Sequence, residues 1–345
     1  MILRKSIVIN IPTESSLGNP LHRRPEHTGF ALTPTRPFLG PRNSQSRSIA
    51  KAAFQSYDAA PVSSPFIQDC LTRKIIFFTG KGGVGKSTVT WATASLLRKA
   101  GRRVLVTSWS PFDEHHQPAQ VADLGVEYLY LETMACFREY ALLTLKFEKV
   151  YDVVFDNRIL RAFIASAPGL SDTVIAGKIE NLHLSGNYDH ILVDLPSSGH
   201  TLSFFQSPLG VSHVFSMGSV HKDTARICAF FQSAECRLDF VSIPEDLSLT
   251  ENLELKAKLT EVFPLSFGYL HLNLMTPPFD LPPTEQLPEA ARQAAEDYRK
   301  HRQHDDEARE IAKGFHLPVI ENERVAIEDE SKIAERVADR LGRAS

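Results

Sequence analysis

Eight consecutive residues, Gly80-Lys81-Gly82-Gly83-Val84-Gly85-Lys86-Ser87, hold the most specific chemistry in this chain. They fit G-x-x-x-x-G-K-[ST], the pattern of a phosphate-binding loop. Glycines let backbone N–H groups close around phosphate oxygens, and a helix N-terminus adds partial positive charge. Lys86 would reach the terminal phosphates. The Ser87 hydroxyl, with Thr88 beside it, would ligate Mg²⁺. Such a loop needs a second carboxylate for the metal's hydration shell. Asp194 closes the apolar run His190-Ile191-Leu192-Val193, where that carboxylate belongs. The plain alternatives are a glycine-rich turn and a strand-end aspartate that caps it.

The surrounding pattern is what such a loop requires. Ile75-Ile76-Phe77-Phe78 leads in as a strand, and an Ala/Leu-rich run from Val89 to Ala100 leads out as a helix. From Lys74 onward strands and helices alternate, which predicts a mostly parallel central sheet flanked by helices. Strands are expected at 74–80, 103–109, 126–131, 190–194, 213–217, 236–243, 266–275 and 315–320. Helices are expected at 86–100, 219–233, 246–262, 286–313 and 326–342, with a helical stretch at 134–184 broken at Ala167-Pro168-Gly169. Nucleotide should bind at the carboxyl ends of the strands.

Residues 1–70 differ from the rest. They hold eight of the 21 prolines and carry eight Lys/Arg against four Asp/Glu. This composition predicts a disordered basic tail, with a transit peptide or a functional basic arm as alternatives. Residues 71–345 then form one domain with a helical subregion at about 134–186. The net charge of −3 argues against a nucleic-acid partner, and the lack of a long apolar run argues against a transmembrane segment. Cys70, Cys136, Cys228 and Cys236 are widely spaced without a C-x-x-C pair, which fits a reducing, cytoplasmic setting. His301, His304, Asp305 and Asp306 resemble a metal cluster but sit on a strongly charged helix, where a solvated face is the simpler account.

The string GKGGVGKS, with Lys81 directly after its first glycine, resembles the deviant phosphate loop of the superfamily of arsenite-pump, septum-site, partition and nitrogenase iron-protein ATPases. Asp194-Leu195-Pro196-Ser197-Ser198-Gly199-His200-Thr201-Leu202 is similar to the switch II string D-T-A-P-T-G-H-T-L of the arsenite-pump and tail-anchored-protein-targeting ATPases. Ala167-Pro168-Gly169-Leu170 and Ile243-Pro244-Glu245-Asp246-Leu247-Ser248-Leu249-Thr250-Glu251 resemble further segments of that family. The resemblance covers about residues 73–342. It implies a P-loop ATPase with ATP and Mg²⁺ as cofactors and a helical insertion between switch I and switch II. It makes Lys81 a residue that crosses a homodimer interface to the partner's nucleotide. The alternative is an exposed lysine on its own phosphates. It also makes Asn273 an adenine contact and puts Pro318, in Leu317-Pro318-Val319, near an adenine-flanking loop.

One departure stands out. Where the family's switch I reads S-T-D-P-A, this chain has Ser108-Trp109-Ser110-Pro111-Phe112, so Ser110 replaces the water-orienting aspartate. A hydroxyl is a far weaker base than a carboxylate. Either Asp113 or Glu114 substitutes by a loop shift, or hydrolysis is slow. The expected function is therefore a homodimeric ATP-hydrolysing switch, with a weakly hydrolysing client-binding scaffold as the alternative. The apolar stripe Phe147, Val150, Val154, Ile159, Leu160, Phe163 and Ile164 is either core packing or a groove for a hydrophobic client helix or membrane-protein partner. His200 either caps the helix after its turn or couples phosphate to the switch. A partition-type reading ranks lowest, because Val325 to Ala344 carries mixed charge without a basic stripe.

Overall fold

A computed structural model describes residues 64–110, 125–145, 169–324 and 333–343. Among the described residues, seven strands form one sheet in the order β3-β2-β4-β1-β5-β6-β7. They are β1 (Ile75–Thr79), β2 (Val104–Ser108), β3 (Glu127–Tyr130), β4 (His190–Asp194), β5 (Cys236–Ser242), β6 (Phe267–Met275) and β7 (Val319–Glu323). Every pairing is parallel, so the expected mostly parallel sheet is wholly parallel. The central strands are buried along their whole length, as β1 and β5 show, because helices cover both faces.

Alternation along β1 separates two cores. Ile75 and Phe77 face one side with Phe204, Phe205 and Phe231, while Ile76 and Phe78 face the other with Trp91 and Leu97. The second side is covered by α1 (Pro65–Thr72), α2 (Lys86–Lys99) and α9 (Ile333–Leu341). The first is covered by α3 (Thr133–Leu145), α4 (Leu170–Leu184), α5 (Ser198–Val214), α6 (Ser219–Phe231), α7 (Asp246–Val262) and α8 (Glu289–Lys313).

Helix α1 straddles the expected domain boundary at residue 70. Its Phe66, Ile67 and Cys70 are buried in the core, and Pro65 opens it at a first-turn position that needs no N–H donor. Ser64 accepts from the Ile67 N–H at 3.4 Å and donates to the carbonyl of Leu341 at 2.8 Å. Beneath α1 lies a buried polar cluster. Arg237 bonds Asp69 and, at 2.8 Å, Asp239. Its guanidinium stacks 5.0 Å from Tyr269 and 5.6 Å from Phe66. A short proline-containing helix beside basic sequence has no compositional mark that separates it from a tail. The expected disorder of residues 1–63 lies outside the described residues.

Two further expectations change. No strand forms at 213–217, because Thr201, Phe204, Pro208 and Val211 keep the helical period and α5 continues to Val214. The strand expected at 315–320 begins at Val319 instead. Phe315 is fully buried in the turn after α8, and His316 has a φ of 51°. Residues 146–168, with the stripe from Phe147 to Ile164, and residues 325–332 lie outside the described residues.

Phe66→Ala should cost about 3–5 kcal/mol, the usual range for emptying a phenylalanine site. Urea unfolding measures this, and a loss below about 1 kcal/mol would return α1 to the tail.

Candidate functional site

The phosphate loop leaves the carboxyl end of β1 and enters α2. Strand pairing sets its neighbours, since Phe78 is in register with Asp194. The loop's backbone passes close to β5 at Gly80, where an added Cβ would lie 2.1 Å from the Val241 carbonyl oxygen. Val84 anchors the loop by its side chain in the core. Gly85 is the N-cap of α2, with a φ of 89° that favours glycine. As a glycine, the N-cap has no side chain with which to occupy the first N–H groups of that helix. Gly82 and Gly83 are exposed at the loop tip.

Three charged or polar groups converge at this end. Ser87 Oγ donates to Asp194 Oδ2 at 2.5 Å. Asp194 Oδ1 is buried and has no protein partner among the described residues. Burial pushes the Asp194 carboxyl up, while the Ser87 hydroxyl and the Lys86 charge pull it back. Burial pulls the Lys86 ammonium down against the opposing effect of Asp194, and its Nζ donates to the Lys81 carbonyl at 3.1 Å. A hydroxyl and a carboxylate with a free oxygen form a hard donor pair that suits Mg²⁺. Thr88 is next to them in the first turn of α2.

Lys81 pairs with Glu251 of α7 in its own chain at 3.4 Å, with both side chains more than a third exposed. The switch II segment is tied to the loop's root. The Ser198 N–H donates to the Gly80 carbonyl at 3.0 Å, and the hydroxyls of Thr79 and Thr201 meet at 2.6 Å. His200 is exposed in the first turn of α5, and its backbone N–H donates to the Ser197 carbonyl at 2.9 Å. Asp172 of α4 accepts from Ser203 and Ser207 of α5 at 3.0 and 3.2 Å.

Other expected residues fall elsewhere. The backbone N–H of Ser110 donates to Tyr130 Oη at 3.1 Å, while Asp113 and Glu114 lie outside the described residues. The Asn273 side chain is turned toward the loop, where its amide donates to the Val84 carbonyl at 2.8 Å. Pro318 precedes β7, and its carbonyl accepts from Leu270, three positions before Asn273, whereas the phosphate loop lies at the strands' carboxyl end. That puts Pro318 about 13 Å from Asn322 along β7. Sequence reasoning missed Glu251 and Thr201 as neighbours of the loop. Both lie within the quoted family strings, but the strings do not say what each side chain touches.

All four cysteines are free and buried, and burial pushes the thiols of Cys70, Cys136 and Cys236 up to about 12 and that of Cys228 to about 11. No group of three or more potential ligands from His, Cys, Asp and Glu gathers among the described residues. His301 and His304 are exposed on α8, while Asp305 is buried and accepts from the Thr276 N–H at 2.8 Å. No helix among the described residues is long and apolar enough to cross a membrane.

A wholly parallel sheet with a glycine loop between its central strand and a covering helix defines an α/β P-loop domain. The family model described as "Anion-transporting ATPase" matches residues 73–263, more than half of the chain, and the chain belongs to that family. "ATPase BagA" of Mycobacterium tuberculosis is 30% identical over an alignment of 225 residues that covers 58% of this chain and 64% of that protein. The "Arsenical pump-driving ATPase" of Escherichia coli is 29% identical over 149 residues, covering 39% of this chain and 25% of that one. "ATPase ASNA1 homolog 1" of Paramecium tetraurelia is 31% identical over 149 residues, covering 40% and 44%. The chain thus spans less than two thirds of the length of each of these relatives.

Asp194→Asn should stabilise the ligand-free protein by about 1 kcal/mol, because a buried carboxylate oxygen without a partner is costly. A carboxyl raised in the fold contributes stability at low pH that is lost as pH rises through its folded value. The gain should therefore be present at neutral pH and vanish below the ordinary aspartate value. Thermal melts across pH measure this, and a less stable variant at pH 7 would contradict it.

Proposed function

We propose that this chain binds ATP with Mg²⁺ and hydrolyses it as a homodimeric switch. One observation carries this reading: Ser87 and Asp194 meet at 2.5 Å beside a helix start whose N-cap is glycine, with Asp194 Oδ1 unpartnered among the described residues. Gly80 to Thr88 would wrap the phosphates, and Lys86 would neutralise the β/γ end. Ser87 would ligate the ion and Asp194 hold its water shell. The ion, when bound, neutralises charge between the β- and γ-phosphates. Burial of Lys86 and Asp194 makes both charges more effective toward a ligand, since little water screens them.

Membership of an ATPase family supports hydrolysis, and the position of Lys81 at the loop mouth supports a dimer in which it reaches the partner's nucleotide. In that dimer Lys81 exchanges Glu251 for phosphate. A route from nucleotide to client also follows from α5. Its first turn is tied to Gly80, and its 17 residues run about 25 Å to Val211 and Phe215. There an apolar cavity of about 240 Å³ opens among α3, α4, α5 and α6, lined by Phe137, Leu170, Val174 and Ile227. An apolar client segment suits such a lining, as the resemblance to tail-anchored-protein-targeting ATPases implies. Ser110 favours the second reading, a scaffold that closes on ATP and turns over slowly. Asp113 is the residue proposed to orient water in its stead.

Lys86→Ala should abolish ATP binding by calorimetry, and unchanged affinity would remove the nucleotide reading. Ser110→Asp should raise turnover about tenfold, equivalent to about 1.4 kcal/mol of barrier. A brisk wild-type rate that neither Ser110→Asp nor Asp113→Asn alters would sink the scaffold reading. Lys81→Ala should bind ATP almost normally yet lose ATP-dependent dimer closure in light scattering. A wild type without any ATP-sensitive dimer would refute the cross-interface role.

A further inference from the structure

We infer that Asn322 is a positioning residue of the phosphate loop, acting through Asn273; the inference rests on the nucleotide reading above. A loop that turns its N–H groups inward onto an anion turns its carbonyl groups outward, and those carbonyls need donors of their own. Asn273 supplies one. Its Nδ2 lies 2.8 Å from the Val84 carbonyl oxygen and 3.4 Å from that of Gly85. Only a nitrogen can face two carbonyl oxygens, so the amide's orientation is fixed and Oδ1 points the other way. There it accepts from Asn322 Nδ2 at 2.9 Å.

Asn322 stands directly opposite Asn273 in the β6–β7 ladder. Its neighbour two residues before, Ile320, fills the inward face of β7 with carbon, yet position 322 carries an amide that is only 2% exposed. Asn322 Oδ1 is left buried and without a partner among the described residues. A leucine would avoid that orphaned oxygen. What the amide supplies in return is a donor that holds Asn273 in the one orientation useful to the loop. The fit is close: an added Cβ at Gly85 would lie 2.7 Å from Asn273 Nδ2. The register of the ladder then breaks between Asn273 and Met275, with Leu274 at a φ of 60°. The pair therefore occupies the last regular rung before the sheet ends at the loop's level.

The test is ATP affinity by calorimetry, with thermal melts on the same proteins. A carboxylate at 322 can only accept, so Asn322→Asp opposes Asn273 Oδ1 and drives the amide to turn its oxygen toward Val84. Its ATP Kd should rise at least about tenfold, the factor that 1.4 kcal/mol represents. Asn322→Leu, which removes the orphaned oxygen, should melt no lower than wild type and still bind ATP more weakly. A merely structural residue would show the reverse, a lower melting temperature and an unchanged Kd. In a double-mutant cycle, Asn322→Leu added to Asn273→Ala should weaken binding no further. Full affinity in both Asn322 variants, or additive losses in the cycle, would overturn the inference alone. A wild type that binds no ATP would overturn the nucleotide reading and this inference together.

Discussion

The site depends on the parallel pairing of β1 with β4. These strands are far apart in sequence, yet their register puts Phe78 opposite Asp194 and so sets the carboxylate two residues below the start of the loop. A one-residue slip would turn Asp194 to the opposite face of the sheet. The Ser87–Asp194 contact, the bond from Ser198 to Gly80 and the Thr79–Thr201 pair all presuppose that register. The register is itself held by burial. Ile75 and Phe77 belong to one core and Ile76 and Phe78 to the other, so either slip exchanges two complete sets of contacts.

The same constraint explains why charged groups are tolerated at this end of the sheet. Asp194 and Lys86 each lose hydration and neither is fully repaid by the protein. Under the proposed nucleotide reading, a ligand bearing the complementary charges would offset that cost. By contrast, the buried Arg237 cluster under α1 has its two carboxylates within the chain, plus two aromatic faces. It fastens a helix.

Legibility in the sequence followed distance along the chain. The loop, its entry strand and Asp194 are each marked by a few adjacent residues whose types have few other uses. The helix Asp246–Val262 likewise declared itself by local pattern and begins and ends where expected. The setting of Pro318 was not legible, because its neighbours depend on which rung of β6 it meets, and nothing local reports the offset of β7. Asn322 carried no mark at all. Its partner is 49 residues away, and an Asn between two glutamates reads as surface. Helix α1 was lost for a third reason: its packing partners, Tyr269 and His271, lie some 200 residues on, and a basic, proline-bearing context hid it.

Helix α9 has a consequence for how the protein is made. It packs against α2, and its Leu341 carbonyl receives the Ser64 hydroxyl from the first described residue. On a ribosome, the helix that carries the phosphate loop is synthesised long before α9, its outer cover. Until then Leu97 and Trp91 have only part of their packing, and β1 itself waits for β4. The nascent chain is thus obliged to shelter an apolar surface until α9 has emerged. Emergence of α9, rather than completion of the loop, is the event that closes this core.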